Sequence, residues 1–143
     1  MLLSEALHIK GDSEVFKIKM NTRIADAAIM LTENKIGSLL VFNGDGNIVG
    51  ILSERDIVSG MGSHGADLND VPVSELMTSD LVRCTPDDTI LKAMAMMTDL
   101  HIRHLPVFKG DDLFGIISLG DLVKCRISEV QAEAEAMREY INS

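Results

Sequence analysis

Apolar residues in this chain switch between two rhythms, and the switch happens twice. Ile24, Ala27, Ala28 and Leu31 recur at helical spacing, as do Ile90, Ala93, Met94 and Met97. Each stripe gives way to a continuous apolar run, Leu39 to Phe42 or Leu105 to Phe108, which predicts a buried strand. Hairpin-type turns follow, Asn43-Gly44-Asp45-Gly46-Asn47 and Lys109-Gly110-Asp111-Asp112. Third strands are predicted over Ile48 to Leu52 and Leu113 to Ile117, with second helices starting at Ser53 and Ser118. Ahead of each stripe, Val15 to Ile18 and Leu81 to Cys84 read as short strands. Asn21-Thr22 and Pro86-Asp87-Asp88 open the helices. The predicted unit is β-α-β-β-α, written twice.

The repetition extends to individual residues. Ile24 matches Ile90 at an offset of 66, and Ala27, Met30, Thr32, Ile36 and Leu39 match Ala93, Met96, Thr98, Ile102 and Leu105. After one gap, Gly50-Ile51, Ser53 and Asp56 match Gly115-Ile116, Ser118 and Asp121. The leaders echo too, Leu3-Ser4-Glu5 resembling Val73-Ser74-Glu75. One such unit leaves an apolar sheet face uncovered. The expected fold class is therefore α+β, with two sheets packed centrally and helices outside. The chain divides into a first repeat over 1–62 (core 15–60), a linker over 63–72, a second repeat over 73–127 and a helical extension over 128–143. Gly60 to Asp67 is glycine-rich and reads as a flexible connector. It lacks the Gly-Lys-Ser/Thr of a P-loop.

From Leu119 no helix breaker appears before Asn142. Val123, Ile127, Val130, Ala134, Met137 and Ile141 alternate spacings of four and three, the seam pattern of paired helices. Such a seam fits either a helix-to-helix homodimer contact or packing on the chain's own body.

Composition narrows the function. The 143 residues carry a net charge of −9, which disfavours nucleic acid, because that binding rests on Lys and Arg neutralising phosphates. Aromatics are 3%, too few for a base-stacking platform. Apolar runs fall far short of the roughly 20 residues of a membrane span, and the start lacks a signal-peptide pattern. Cys84 and Cys125 stand far apart, as free thiols of a reducing, cytoplasmic compartment do. No nucleophile motif points to an enzyme, and no metal-ligand spacing is present beyond a faint His101 and His104 pair.

Two patterns carry candidate chemistry. Ser53-Glu54-Arg55-Asp56 and Ser118-Leu119-Gly120-Asp121 each follow a third strand. Ser-x-x-Asp makes a capping box unaided. The same geometry suits a ligand: free N–H groups at a helix start attract phosphate, and a carboxylate one turn in can hold a ribose diol. Both readings stand at this point. Ile102-Arg103-His104-Leu105-Pro106-Val107 places an arginine, the residue suited to bidentate phosphate contact, and a histidine at a strand start. Repeat one has Gly37-Ser38 there, so the halves differ chemically.

With these residues in view, the chain resembles a tandem pair of cystathionine-β-synthase (CBS) domains. It is most similar to stand-alone bacterial pairs, a type also found in eukaryotic organelles. The resemblance runs from about Leu3 to about Ile127 and implies a non-catalytic sensor of adenine-containing ligands: AMP, ADP, ATP, NAD(H) or S-adenosylmethionine. It also implies two clefts, each using the turn of one half and the strands of the other. In the first, Asp121 would take the ribose and Ser118 phosphate, with Val15, Phe16, Ile36 and Ile116 around the base and Gly37 and Ser38 allowing close approach. In the second, Asp56 would take the ribose and Ser53 and Arg55 phosphate, with Met77, Val82 and Ile51 as walls beside Thr78 and Ile102. Arg103 and His104 would reach phosphate in either. The ligand would shift conformation or dimer state for an unknown regulated protein. Lys17, Lys19, Lys35, Arg55, Arg83, Arg103 and His104 fall in these segments, while Glu129, Glu133, Glu135 and Glu139 sit on the terminal helix. The competing reading is a structural or redox-linked interaction protein working through Cys84 and Cys125.

Overall fold

The computed structural model describes residues 1–11 and 15–143. It falls into two compact units. One is continuous, residues 14–81. The other joins residues 1–13 to residues 82–143. The leader of the first repeat is thus built into the unit of the second.

In the continuous unit, β1 (Lys17–Lys19) runs parallel to β2 (Ser38–Phe42), which pairs antiparallel with β3 (Ile48–Ser53). Helix α2 (Ile24–Asn34) buries Ile24, Ala27 and Leu31, the stripe read from the sequence. They pack with Ile18, Leu39, Val41 and Leu52 in an aliphatic core. Such burial contributes about 25 cal/mol per Å² of apolar surface removed from water, an upper bound for a chain compact before folding.

After β3 comes α3 (Glu54–His64), then a 3-10 segment (Gly65–Asp70) and the short α4 (Val73–Leu76). The glycine-rich stretch from Gly60 to Asp67 is therefore helical, and the expected flexible connector is corrected. Gly60 is buried, and a Cβ there would come within 2.6 Å of a Leu76 methyl and 2.9 Å of a Leu68 methyl. Its small size lets α3 pack closely on the segments that follow.

In the other unit, β4 (His104–Lys109) and β5 (Asp112–Ser118) form an antiparallel hairpin. It packs against α5 (Ile90–Leu100) and the root of α6 (Leu119–Asn142). Both hairpins slip register at the same place, between Val41 and Phe42 and between Val107 and Phe108. The strand expected over Leu81 to Cys84 shrinks to one parallel bridge from Cys84 to Val107. Cys84 donates its N–H to Pro106 O and accepts from Phe108 N–H, and no named strand forms there. Helix α1 (Leu3–Lys10) completes this core: Leu3 and Ala6 are buried beside Ile90, Ile117 and Leu122.

Glycine decides how closely the leaders approach the hairpins. A Cβ on Gly50 would lie 2.6 Å from Met77 Sδ and 2.9 Å from the Thr78 carbonyl oxygen. At the equivalent Gly115 the neighbour is Leu7, 3.2 Å away. Backbone cannot give way as a side-chain end can. Gly50→Ala is therefore expected to cost about 1–3 kcal/mol. Gly62→Ala, in open space within α3, is expected to gain about 0.5–1 kcal/mol. Urea unfolding of the two variants reads the opposite signs directly.

Candidate functional site

Each unit carries its candidate Ser-x-x-Asp residues on the turn from the hairpin's last strand into a helix. Ser53 and Ser118 hold extended backbone at the end of β3 and β5, where each caps the helix that follows. In the continuous unit Ser53 Oγ accepts from the Asp56 N–H at 3.3 Å, and Asp56 Oδ2 accepts from the Ser53 N–H at 2.9 Å. In the other, the matching distances for Ser118 and Asp121 are 3.1 and 2.9 Å. Both turns are complete capping boxes. In both, the box uses Oδ2 of the carboxylate and satisfies donors that otherwise need water.

The strand entry lies against this turn. Ser38 faces Ser53 across the first hairpin, and the Gly37 carbonyl accepts from the Glu54 N–H. His104 faces Ser118 across the second, and the Arg103 carbonyl accepts from the Leu119 N–H. The Gly37-Ser38 and Arg103-His104 segments thus sit beside their own unit's Ser-x-x-Asp turn. The difference in chemistry read from the sequence is a difference between two equivalent places. Ser38 is buried, His104 half-buried and Arg103 exposed.

The remaining expected residues divide by unit. The continuous unit carries Val15, Phe16, Ile36, Ile51, Arg55, Met77 and Thr78. Among them, Ile51 and Thr78 exchange both backbone hydrogen bonds, at 3.0 and 2.9 Å, and Met77 lies on Gly50. The Phe16 carbonyl accepts from the Leu40 N–H. The other unit carries Val82, Ile102 and Ile116, with Ile116 opposite Pro106. The Arg83 guanidinium lies over the Phe108 ring, 4.4 Å from the centroid. His101 ends α5 in the left-handed conformation, φ 55°, as Lys35 ends α2 at φ 53°. Among the described residues, no three His, Cys, Asp or Glu side chains gather as metal ligands.

Sequence reading missed one residue of this site. The Lys10 ammonium lies 2.9 Å from Asp121 Oδ2 and donates to the Ile116 carbonyl, also at 2.9 Å. The echo between the two leaders was the available signal, since it aligns α1 with the segment that crosses β3.

Burial by itself would push the Asp121 carboxyl up. The Ser118 N–H, the Lys10 ammonium and the Ser118 hydroxyl together outweigh it and hold the group below the usual carboxylate range. A carboxyl depressed in the folded state stabilises fully above its unfolded value of about 3.9, and that contribution fades as pH falls through the lowered value. Lys10→Gln weakens the depression. Stability measured by urea unfolding should therefore fall less steeply with acid below about pH 4 in Lys10→Gln than in the parent. Identical slopes would show that Lys10 does not hold this charge.

Comparison with known proteins places the architecture. The family model for the CBS domain matches residues 9–63 and again 73–128. The mitochondrial CBS domain-containing protein CBSX3 of Arabidopsis thaliana is 33% identical over 97% of this chain and 71% of its own length. The crystal structure of a CBS-domain containing protein from Agrobacterium tumefaciens superposes with a TM-score of 0.83 at 38% identity, covering 87% of this chain and 92% of that one. A CBS domain pair solved with 5′-methylthioadenosine and S-adenosyl-L-methionine shares the fold, with a TM-score of 0.76 at 21% identity over 90% and 98% of the two chains. Relatives thus come from a plant as well as from bacteria. Two matches in one chain, in step with its internal repeat and its two capped turns, show that the protein belongs to the CBS domain family as a tandem pair of these non-catalytic regulatory modules.

Proposed function

We propose that this CBS pair senses adenine-containing ligands, and that its Ser-x-x-Asp turns receive their ribose and phosphate. The observation that carries this reading is the turn itself, built twice to the same geometry beside a strand entry of different chemistry. A capping box needs one carboxylate oxygen, Oδ2 in both copies. Oδ1 of Asp56 and Asp121 is the atom assigned to the ribose hydroxyls. Ser53, Ser118, Arg55, Arg103 and His104 are assigned to phosphate. Ile51 with Met77, and Ile116, supply the aliphatic surface for the base in a chain nearly without aromatics. Adenosine derivatives bound to a relative of the same fold support the choice of ligand class. AMP, ADP, ATP, NAD(H) and S-adenosylmethionine are the ligands to compare.

The redox-linked alternative fits less well. Burial pushes both the Cys84 and Cys125 thiols up, so neither is the thiolate that redox chemistry needs. Two buried free thiols suit a reducing compartment, where we place the protein.

Binding is read by melting temperature. A ligand at 100 times its dissociation constant adds about 2.7 kcal/mol. At least one of these adenine compounds is expected to raise the melting temperature of the parent, and the rise should shrink in Asp56→Ala or Asp121→Ala. No rise with any of them overturns the reading.

The readout we propose is a homodimer through α6. The helix is 24 residues long, about 36 Å at 1.5 Å per residue, and only Leu122 and Cys125 along it are buried. Ile127, Met137 and Ile141 of the seam are 53%, 61% and 71% exposed. Sedimentation should show a dimer for the parent and a monomer for Ile127→Glu combined with Met137→Glu. A parent that is monomeric at all concentrations refutes this contact.

A further inference from the structure

The two turns differ in where their positive charge comes from. In the first repeat the turn itself supplies a cation, Arg55, directly before Asp56. The second repeat has Gly120 at that position. Its cation arrives from the leader instead: Lys10 reaches 2.9 Å from Asp121 Oδ2, anchored on the Ile116 carbonyl. The leader echo that aligns Leu3-Ser4-Glu5 with Val73-Ser74-Glu75 puts Asp80 where Lys10 stands. Lys10 is thus a cation that the second turn receives from a distant segment, whereas the first turn carries Arg55 in its own sequence.

We propose that Lys10 selects for phosphate at the Asp121 turn, so that this unit prefers a phosphorylated nucleoside to the bare nucleoside. The inference rests on the adenine-sensing reading above. An ammonium has three N–H donors. Among the described residues two meet Ile116 O and Asp121 Oδ2, which leaves one for an anionic ligand. Lys10 also offsets the carboxylate charge that would repel phosphate a few ångströms away. At 24% side-chain exposure the pair is shielded from bulk water yet reachable. Ribose hydroxyls need only the carboxylate, so loss of Lys10 weakens a nucleotide and spares a nucleoside.

The test is calorimetric titration of the full chain carrying Asp56→Ala, so that the Asp121 turn is read alone, with AMP and adenosine as probes. AMP is expected to bind at least about tenfold more tightly than adenosine, as loss of one charge-assisted hydrogen bond implies. Lys10→Gln, which retains a donor for Ile116 O, should weaken AMP about tenfold and leave adenosine unchanged, so that only the preference supplied by Ser118, Arg103 and His104 remains. Adding Gly120→Arg should restore the preference, since a Cβ at Gly120 meets nothing closer than Ser118 Oγ at 3.7 Å. A purely structural role for Lys10 would not be rescued by a charge placed there. An AMP affinity unchanged by Lys10→Gln, or an AMP preference absent from the parent, overturns the inference and leaves the adenine reading standing. Failure of both probes and every other adenine compound to bind the unmodified chain overturns both.

Discussion

A missing side chain sets the geometry of both units. Gly50 faces Val41 across one hairpin and Gly115 faces Val107 across the other. Over each glycine crosses a segment from outside the hairpin, with Met77 on Gly50 and Leu7 on Gly115. Any larger residue would lift the crossing segment away. On Gly50 the closeness draws Thr78 into backbone pairing with Ile51. On Gly115 it lands the end of α1 on the Ile116 carbonyl and the Asp121 carboxylate. Packing at one small residue thereby fixes which polar groups meet at the capped turn three residues later.

Once the crossings are in place, the capped turns serve both stability and chemistry. A capping box commits one oxygen of an aspartate to the backbone and so fixes the orientation of the other. Glutamate, the commoner partner in such boxes, has one more rotatable bond to freeze. The shorter acid gives a carboxylate whose position is set by the start of the helix rather than by a flexible stem. Structural and binding readings of Ser-x-x-Asp are therefore compatible. The same hydrogen bonds that end the strand also hold the acid still.

Legibility in the sequence followed the range of the interactions. Helical stripes, hairpins and caps are decided within a few residues, and the structure matches the expected α2, α5, β2–β3 and β4–β5 closely. Contacts between distant segments were harder. Leu81 to Cys84 has the composition of a strand, but its pairing with β4 extends over a single bridge. Gly60 to Asp67 has the composition of a loop, yet Gly60 is there for closeness and the helix runs through it. Lys10 looks like an ordinary surface lysine at the end of a short helix. Its partner lies more than a hundred residues away, and no local pattern records such a distance.

The placement of α1 also sets the order in which the protein can be finished. Leu3 and Ala6 are made before Ile90, Ile117 and Leu122, the residues that bury them. An eight-residue helix has little stability alone, so through most of synthesis the leader is an apolar thread without its seat. Residues 14–81 carry their own core and can close in the meantime. The segment before the continuous unit thus waits for the segment after it.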